Sequence, residues 1–200
     1  ATNTSGLSPS DVAEAVTRKD KFVVAHFWNP PHLVPLVEVV PGKHTAPETV
    51  EITWQLMELI GKKPVALKRE ALGFIGNRLQ LALLREALYI VEQGIATAEA
   101  VDTTVKYSLG RRLGITGPLE SADLGGLDIF YNISSYLLKD LCNSPEVPSL
   151  LVDAKAKGNL GSKTGQGLYD WTDAERLNAL KKTRESILIE WLQKDQTQKF

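Results

Sequence analysis

Up to about residue 70, short apolar runs alternate with segments of helical period. The runs are FVVAHF (22–27), PLVEVV (35–40) and PVALK (64–68), each strand-length and bounded by proline or polar residues. Between them, SPSDVAEAV offers serine caps with an acid in the first turn. APETVEITWQLMELIGKK puts Val50, Trp54, Met57 and Leu59/Ile60 near helical spacing and stops at Gly61. Strand alternating with helix predicts an α/β arrangement. After Gly73 the strand signal fades. FIGNRLQLALLREALYIVEQG is apolar almost all round, which predicts a buried helix ended by Gly94. Further helices are expected over 97–109, roughly 120–142, 148–157 and 173–194, the last carrying Leu177, Leu180, Ile187, Leu188 and Trp191 on a common side. The change of pattern puts a domain boundary near 70–73, and no internal repeat or low-complexity segment interrupts it.

One residue breaks the pattern. Glu38 stands between Val37 and Val39 in an otherwise apolar strand, twelve residues after a histidine, His26, in a similar run. Two readings are open. Glu38 can be an edge-strand carboxylate facing water and His26 a satisfied core histidine. Alternatively the two form a pair, in which a buried acid bonds one imidazole nitrogen, fixes the tautomer and leaves the other nitrogen as a general base. The partner then offsets the cost of burying the charge. The prolines of NPPHLVP would hold the connection extended, letting the two face one another from adjacent strands.

Composition narrows the field. Two hundred residues at 43% hydrophobic content suffice for a substantial core, in one or two domains. A net charge of -1 leaves no electrostatic footprint for nucleic acid or an anionic membrane surface. Cys142 is the sole cysteine, which excludes disulfide frameworks and cysteine-rich zinc sites and fits a reducing, cytoplasmic setting. No apolar run approaches membrane-spanning length, and ATNTSGLSPSD lacks the features of a signal peptide.

His26-Phe27-Trp28-Asn29-Pro30 followed by Leu36-Val37-Glu38-Val39-Val40 resembles the HFFNP…LVEVV signature of the 3-hydroxyacyl-CoA dehydrogenase family. In order along the chain, Asn3-Thr4-Ser5 resembles its SNTS, Gly73–Arg78 its GFIxNR, Gly117–Glu120 its MGPxE and Lys163–Tyr169 its KTGxGFY, so the likeness spans residues 1 to about 171. It implies the remnant of a Rossmann NAD-binding domain over 1–71 and an all-α, 6-phosphogluconate-dehydrogenase-like domain over 72–200. His26 would be the catalytic base and Glu38 its support. Ser5 and Asn77 would position the substrate's oxygens, with Ser5, Asn29 and Lys163 near NAD. For Asn77 a backbone-bonded helix start, and for Lys163 a plain surface lysine, stay open. His32 and His44 match no family position and are read as surface residues.

The resemblance also implies oxidation of L-3-hydroxyacyl-CoA to the 3-ketoacyl-CoA, as in fatty acid β-oxidation, and a homodimer joined through the helical domain. The family's GxGxxG turn, whose amides and helix start hold the pyrophosphate, does not occur here. The chain therefore reads as a fragment, inactive alone. Trp28, Pro31, Pro35 and the extra C-terminal helix are departures that also resemble the branch acting on free hydroxy acids, of the L-gulonate (lambda-crystallin) and carnitine type. A non-catalytic structural or dimerisation module is the third reading.

Overall fold

The computed structural model of the chain describes residues 1–197. These form two compact units, Ala1–Gln80 together with the last helix, and Leu81–Asp173. The last helix thus groups with the strands, where the sequence reading placed it in a helical domain from 72 onward.

The first unit is built on three strands, β1 (Val23–Phe27), β2 (Leu36–Pro41) and β3 (Lys63–Ala66), in the order β1-β2-β3. β1 and β2 are antiparallel and β2 and β3 parallel. Thr2 adds a parallel bridge to Val24, which lays the N-terminal residues along the free side of β1. Before β1 comes α1 (Pro9–Ala13), started by Ser8, whose hydroxyl accepts from Asp11 N–H at 3.3 Å. The Glu70 carboxylate accepts from both the Ser8 and the Ser10 hydroxyls and from Ser10 N–H, so the end of the β3 segment clamps that helix start.

Between β2 and β3 runs α2 (Pro47–Leu59), terminated by Gly61 at φ 77°. Successive side chains of a strand point to opposite faces, and both faces of this sheet are covered. Ala25 and Val37 pack with Met57 of α2. On the other face Val24 and Val40 pack with Phe74. Because β1 and β2 pair Val24 with Val40 and His26 with Glu38, the acid and the histidine share the Phe74 face.

The helix α3 (Gly76–Glu92) starts in this unit and leads into the second, where α4 (Ala98–Tyr107), α5 (Leu109–Leu113), α6 (Pro118–Gly125), α7 (Leu127–Leu137) and α8 (Ser149–Ala156) follow. The last helix, α9 (Ala174–Thr197), belongs with the strands.

Several expectations are corrected here. α3 is not a buried helix, for only Leu88 along it is buried while Leu81 is 59% exposed. Its apolar circumference exceeds what the neighbouring elements of this chain cover. The helix expected over 120–142 is two, broken where Gly126 takes φ 93°. On α9, Trp191, Ile187 and Leu180 are exposed, and Leu177, Leu188 and Leu192 are the more sheltered positions. Spacing gave the helix, but the true inner stripe is shifted from the expected one. No helix among the described residues is long and apolar enough to cross a membrane.

Candidate active site

His26 and Glu38 are direct cross-strand partners, and His26 Nδ1 lies 2.9 Å from Glu38 Oε2. Glu38 is only 1% exposed, so the edge-strand reading fails. An ionised carboxylate in such a place must find donors. Glu38 finds four. Oε1 accepts from the backbone N–H of Ile75 at 2.9 Å and of Gly76 at 3.0 Å, and Oε2 accepts from Trp28 Nε1 at 3.2 Å besides the imidazole. The two amides lie at the start of α3, where helix N–H groups lack partners within the helix and the dipole favours negative charge.

The Gly73–Phe74 turn delivers that helix start. Gly73 has φ 74° and Phe74, though it carries a side chain, φ 52°. A non-glycine residue in this region is strained by roughly 1–3 kcal/mol and persists only where its surroundings hold it. Phe74 is held, being buried at 2% exposure with its ring edge-on to His26 at 5.5 Å between centroids. The strain thus sits one residue before the amides that neutralise Glu38.

Burial pushes the Glu38 carboxyl's pKa up, but the hydrogen bonds from Gly76 N–H, His26, Ile75 N–H and Trp28 together outweigh it and hold the group below the usual glutamate range. The sign follows. A depressed folded-state value means that this stabilisation is fully present above the unfolded glutamate pKa and is lost as pH falls through the folded one. A carbon-13 NMR titration of the Glu38 carboxyl is expected to show a midpoint below that of a free glutamate. A midpoint above it would contradict the four-donor arrangement.

With Nδ1 engaged, the other imidazole nitrogen has no partner among the described residues. Ser5 and Asn29 come to the same end of β1. The side-chain oxygen of Asn3 accepts from Phe27 N–H at 2.7 Å, which ties the Asn3–Ser5 segment beside the histidine, and Asn29 follows two residues after Phe27. Neither the Ser5 hydroxyl nor the Asn29 amide is bonded among the described residues. Asn77 stands in the first turn of α3 with no backbone bond of its side chain, so the expected alternative of a self-capping residue is not what the structure has.

Lys163 belongs to the other unit, exposed on a loop that Gly161 N–H, Thr164 and the carbonyl of Gln166 tie together; it lines a cavity with Lys155, Asn159, Tyr169 and Trp171. In the same unit Glu120 accepts from Gly117 N–H at 2.9 Å, so the GPLE motif starts α6. His32 and His44 are exposed. Among the described residues no cluster of His, Cys, Asp and Glu could hold a metal ion.

Sequence reasoning missed Gly76 and Trp28. A Cβ at residue 76 would fall 2.1 Å from Trp28 Cζ2, so the indole occupies space that only glycine leaves. The available signal was the large residue at the variable aromatic position of HFWNP together with the small one at the variable position of GFIGNR.

Comparison with known proteins divides the chain near residue 72. The family model for the 3-hydroxyacyl-CoA dehydrogenase NAD binding domain matches residues 1–71, and that for the C-terminal domain matches residues 73–171. The chain belongs to the 3-hydroxyacyl-CoA dehydrogenase family. It is 35% identical over 189 residues to the 5-formyl-3-hydroxy-2-methylpyridine 4-carboxylate 5-dehydrogenase of Mesorhizobium japonicum, covering 94% of this chain and 61% of that protein. It is 35% identical over 194 residues to the L-carnitine dehydrogenase of Bacillus cereus, covering 96% and 59%, and 36% identical over 174 residues to a probable 3-hydroxybutyryl-CoA dehydrogenase of Bacillus subtilis, covering 86% and 59%. The crystal structure of the pyridine-carboxylate 5-dehydrogenase, described as an NAD+ dependent dismutase, matches with a TM-score of 0.93 at 34% identity, over 98% of this chain and 63% of that one.

The chain spans about three-fifths of the length of these curated relatives. NAD is the family's cofactor, and residues 1–71 are part of its NAD-binding domain. The outer ring nitrogen of His26, the Ser5 hydroxyl and the Asn29 amide are polar groups without a hydrogen-bond partner among the described residues, the kind of groups that could meet the reacting end of NAD. The sequence holds no GxGxxG turn for the pyrophosphate.

Proposed function

We propose that the protein bearing this chain is an NAD-dependent dehydrogenase in which His26 is the general base and Glu38 its support. The observation that carries this reading is the buried cross-strand pair at 2.9 Å. Glu38 keeps the proton on Nδ1, which leaves the Nε2 lone pair free toward the substrate. His26 takes the hydroxyl proton as the carbonyl forms and returns it in the reverse reaction. NAD, when bound, accepts the hydride from the carbon that bears that hydroxyl. Ser5 and Asn77 orient the substrate's oxygens, and Asn29 lies toward the cofactor, with Lys163 as the cofactor candidate of the helical unit. The gain comes from holding the reacting carbon, the base and the cofactor in register.

For the substrate, structural likeness separates two classes. The pyridine-carboxylate 5-dehydrogenase matches with a TM-score of 0.93, and the (S)-3-hydroxybutyryl-CoA dehydrogenase of Ralstonia eutropha with 0.66. This favours a small free carboxylic acid bearing the oxidisable group. The KTGxGxY motif and the family itself favour the second reading, an L-3-hydroxyacyl-CoA thioester. A side-by-side assay of the full-length protein should give faster NAD reduction with L-carnitine, L-gulonate or a formylpyridine carboxylate than NADH oxidation with acetoacetyl-CoA. Activity on the thioester alone would reverse the order.

The helical unit exposes Leu81 and Leu83 on α3 and Leu127, Ile129, Tyr131 and Tyr136 on α7, which supports self-association. At about 25 cal/mol per Å² of apolar area, a paired face of this kind can hold a dimer. Sedimentation at tens of micromolar is expected to show the dimer. A monomer would refute it.

A further inference from the structure

We propose that Trp28 is a positioning residue for the Glu38–His26 pair, one that the absence of a side chain at Gly76 makes possible. This rests on the dehydrogenase reading above and deepens it.

Oε2 of Glu38 serves two donors at once, His26 Nδ1 at 2.9 Å and Trp28 Nε1 at 3.2 Å. The two are not equivalent. The imidazole becomes a cation when it takes the substrate's proton, and the Glu38 charge then stabilises it. The indole stays neutral, cannot release its proton, and draws part of the same charge. Trp28 therefore tempers the support that Glu38 gives the protonated base. It also fixes the carboxylate plane from the side opposite to the α3 amides, which hold Oε1.

The geometry depends on residue 76. The six-membered ring of Trp28 lies over Gly76, where a Cβ would meet Cζ2 at 2.1 Å, Cε2 at 2.9 Å and Cη2 at 3.0 Å. The same glycine donates its N–H to Oε1, so one position supplies both a donor to the acid and the space for the second side-chain donor. Trp28, one residue beyond the end of β1, meets His26 edge-on, 6.2 Å between ring centroids.

Among the described residues His26 is the sole titratable group bonded to Glu38. From the Gly73–Phe74 turn and the start of α3 come only backbone amides and the Phe74 ring, and the Arg78 guanidinium donates instead to the Leu72 carbonyl. Trp28 also meets the His26 ring, a contact that a phenyl ring retains, so removing only the indole N–H reaches the proton chemistry through Glu38.

The test uses the full-length protein with Trp28→Phe, which keeps an aromatic ring and removes the N–H. With the charge of Glu38 concentrated on His26, the imidazolium formed in the reaction is better supported. The acid limb of kcat/KM for hydroxyl oxidation is expected to move up by about half a unit, with the plateau falling less than about tenfold. An acid limb that stays in place overturns the proposal. His26→Gln, assayed in parallel, separates this from the underlying reading: near-wild-type rates there refute the dehydrogenase base, whereas a dead His26→Gln with an unmoved Trp28→Phe profile refutes only the role of Trp28.

Size coupling is read from thermal midpoints. Gly76→Ala should lower the midpoint by several degrees when Trp28 is present and by less than half as much in the Trp28→Phe background, because the clashing ring atoms are gone. Equal losses in the two backgrounds overturn the coupling. Should the variants fail to fold, the wild-type protein still decides. Its Trp28 indole N–H should be protected from hydrogen exchange, and exchange at the rate of an exposed indole overturns the proposal.

Discussion

Replacing His26 by glutamine in the full-length protein is expected to lower kcat by at least about a hundredfold, the lower range for a positioned general base. Glutamine approximates the size of imidazole and can hydrogen-bond Glu38, so the sheet and the approach of α3 should survive. What it lacks is a basic nitrogen that can take the hydroxyl proton. The hydroxyl proton must then leave to water from a site where the histidine itself is buried. Circular dichroism and the urea midpoint should stay near wild type while the steady-state rate falls. Rates near wild type would remove His26 from the mechanism and leave the pair as a structural feature.

Glu38→Gln should be as damaging to the rate and, unlike His26→Gln, costly to stability. The carboxylate accepts on both oxygens, from two amides on one side and from imidazole and indole on the other. An amide has one accepting end. If the oxygen faces α3, the NH₂ confronts the Trp28 N–H and the His26 Nδ1 proton. If it is turned round, the NH₂ confronts Ile75 and Gly76. His26 can escape only by shifting its proton to the outer nitrogen, which cancels its role as base. Leaving buried donors without acceptors costs about 1–3 kcal/mol each, so a loss of a few kcal/mol in chemical denaturation is expected together with a drop in kcat of at least about a hundredfold. A fully stable and active variant would show that the charge of Glu38 is dispensable.

The acid–histidine pair was legible in the sequence because strand alternation is strict. A charge at one position of a buried β run has only two faces to choose from, and register put His26 opposite it. The donors from Ile75 and Gly76 were not legible, since a backbone amide carries no side-chain signature and comes from 37 and 38 residues away. Trp28 was visible as an unusual residue but not as a hydrogen-bond donor, because its role depends on the emptiness of position 76. The helices were found by period, yet their exposure was misjudged on α3 and α9. Periodicity reports that a face is apolar and says nothing of what covers it. The break at Gly126 was within reach of the sequence, in the paired glycines of ADLGGLD.

Because α9 groups with the strands, chain order and neighbourhood part company around the segment that follows His26. Leu188, Arg184 and Lys181 line a cavity with Asn29, Pro30, His32 and Leu33, and Leu192 lines another with Trp54 and Pro35. The segment just past His26 is thus propped by residues more than 140 positions later, beyond the stretch that the family models match. A substitution at Lys181, Arg184 or Leu188 of α9 therefore acts a few residues from the proposed base. Changes made there belong with active-site variants when rates are compared.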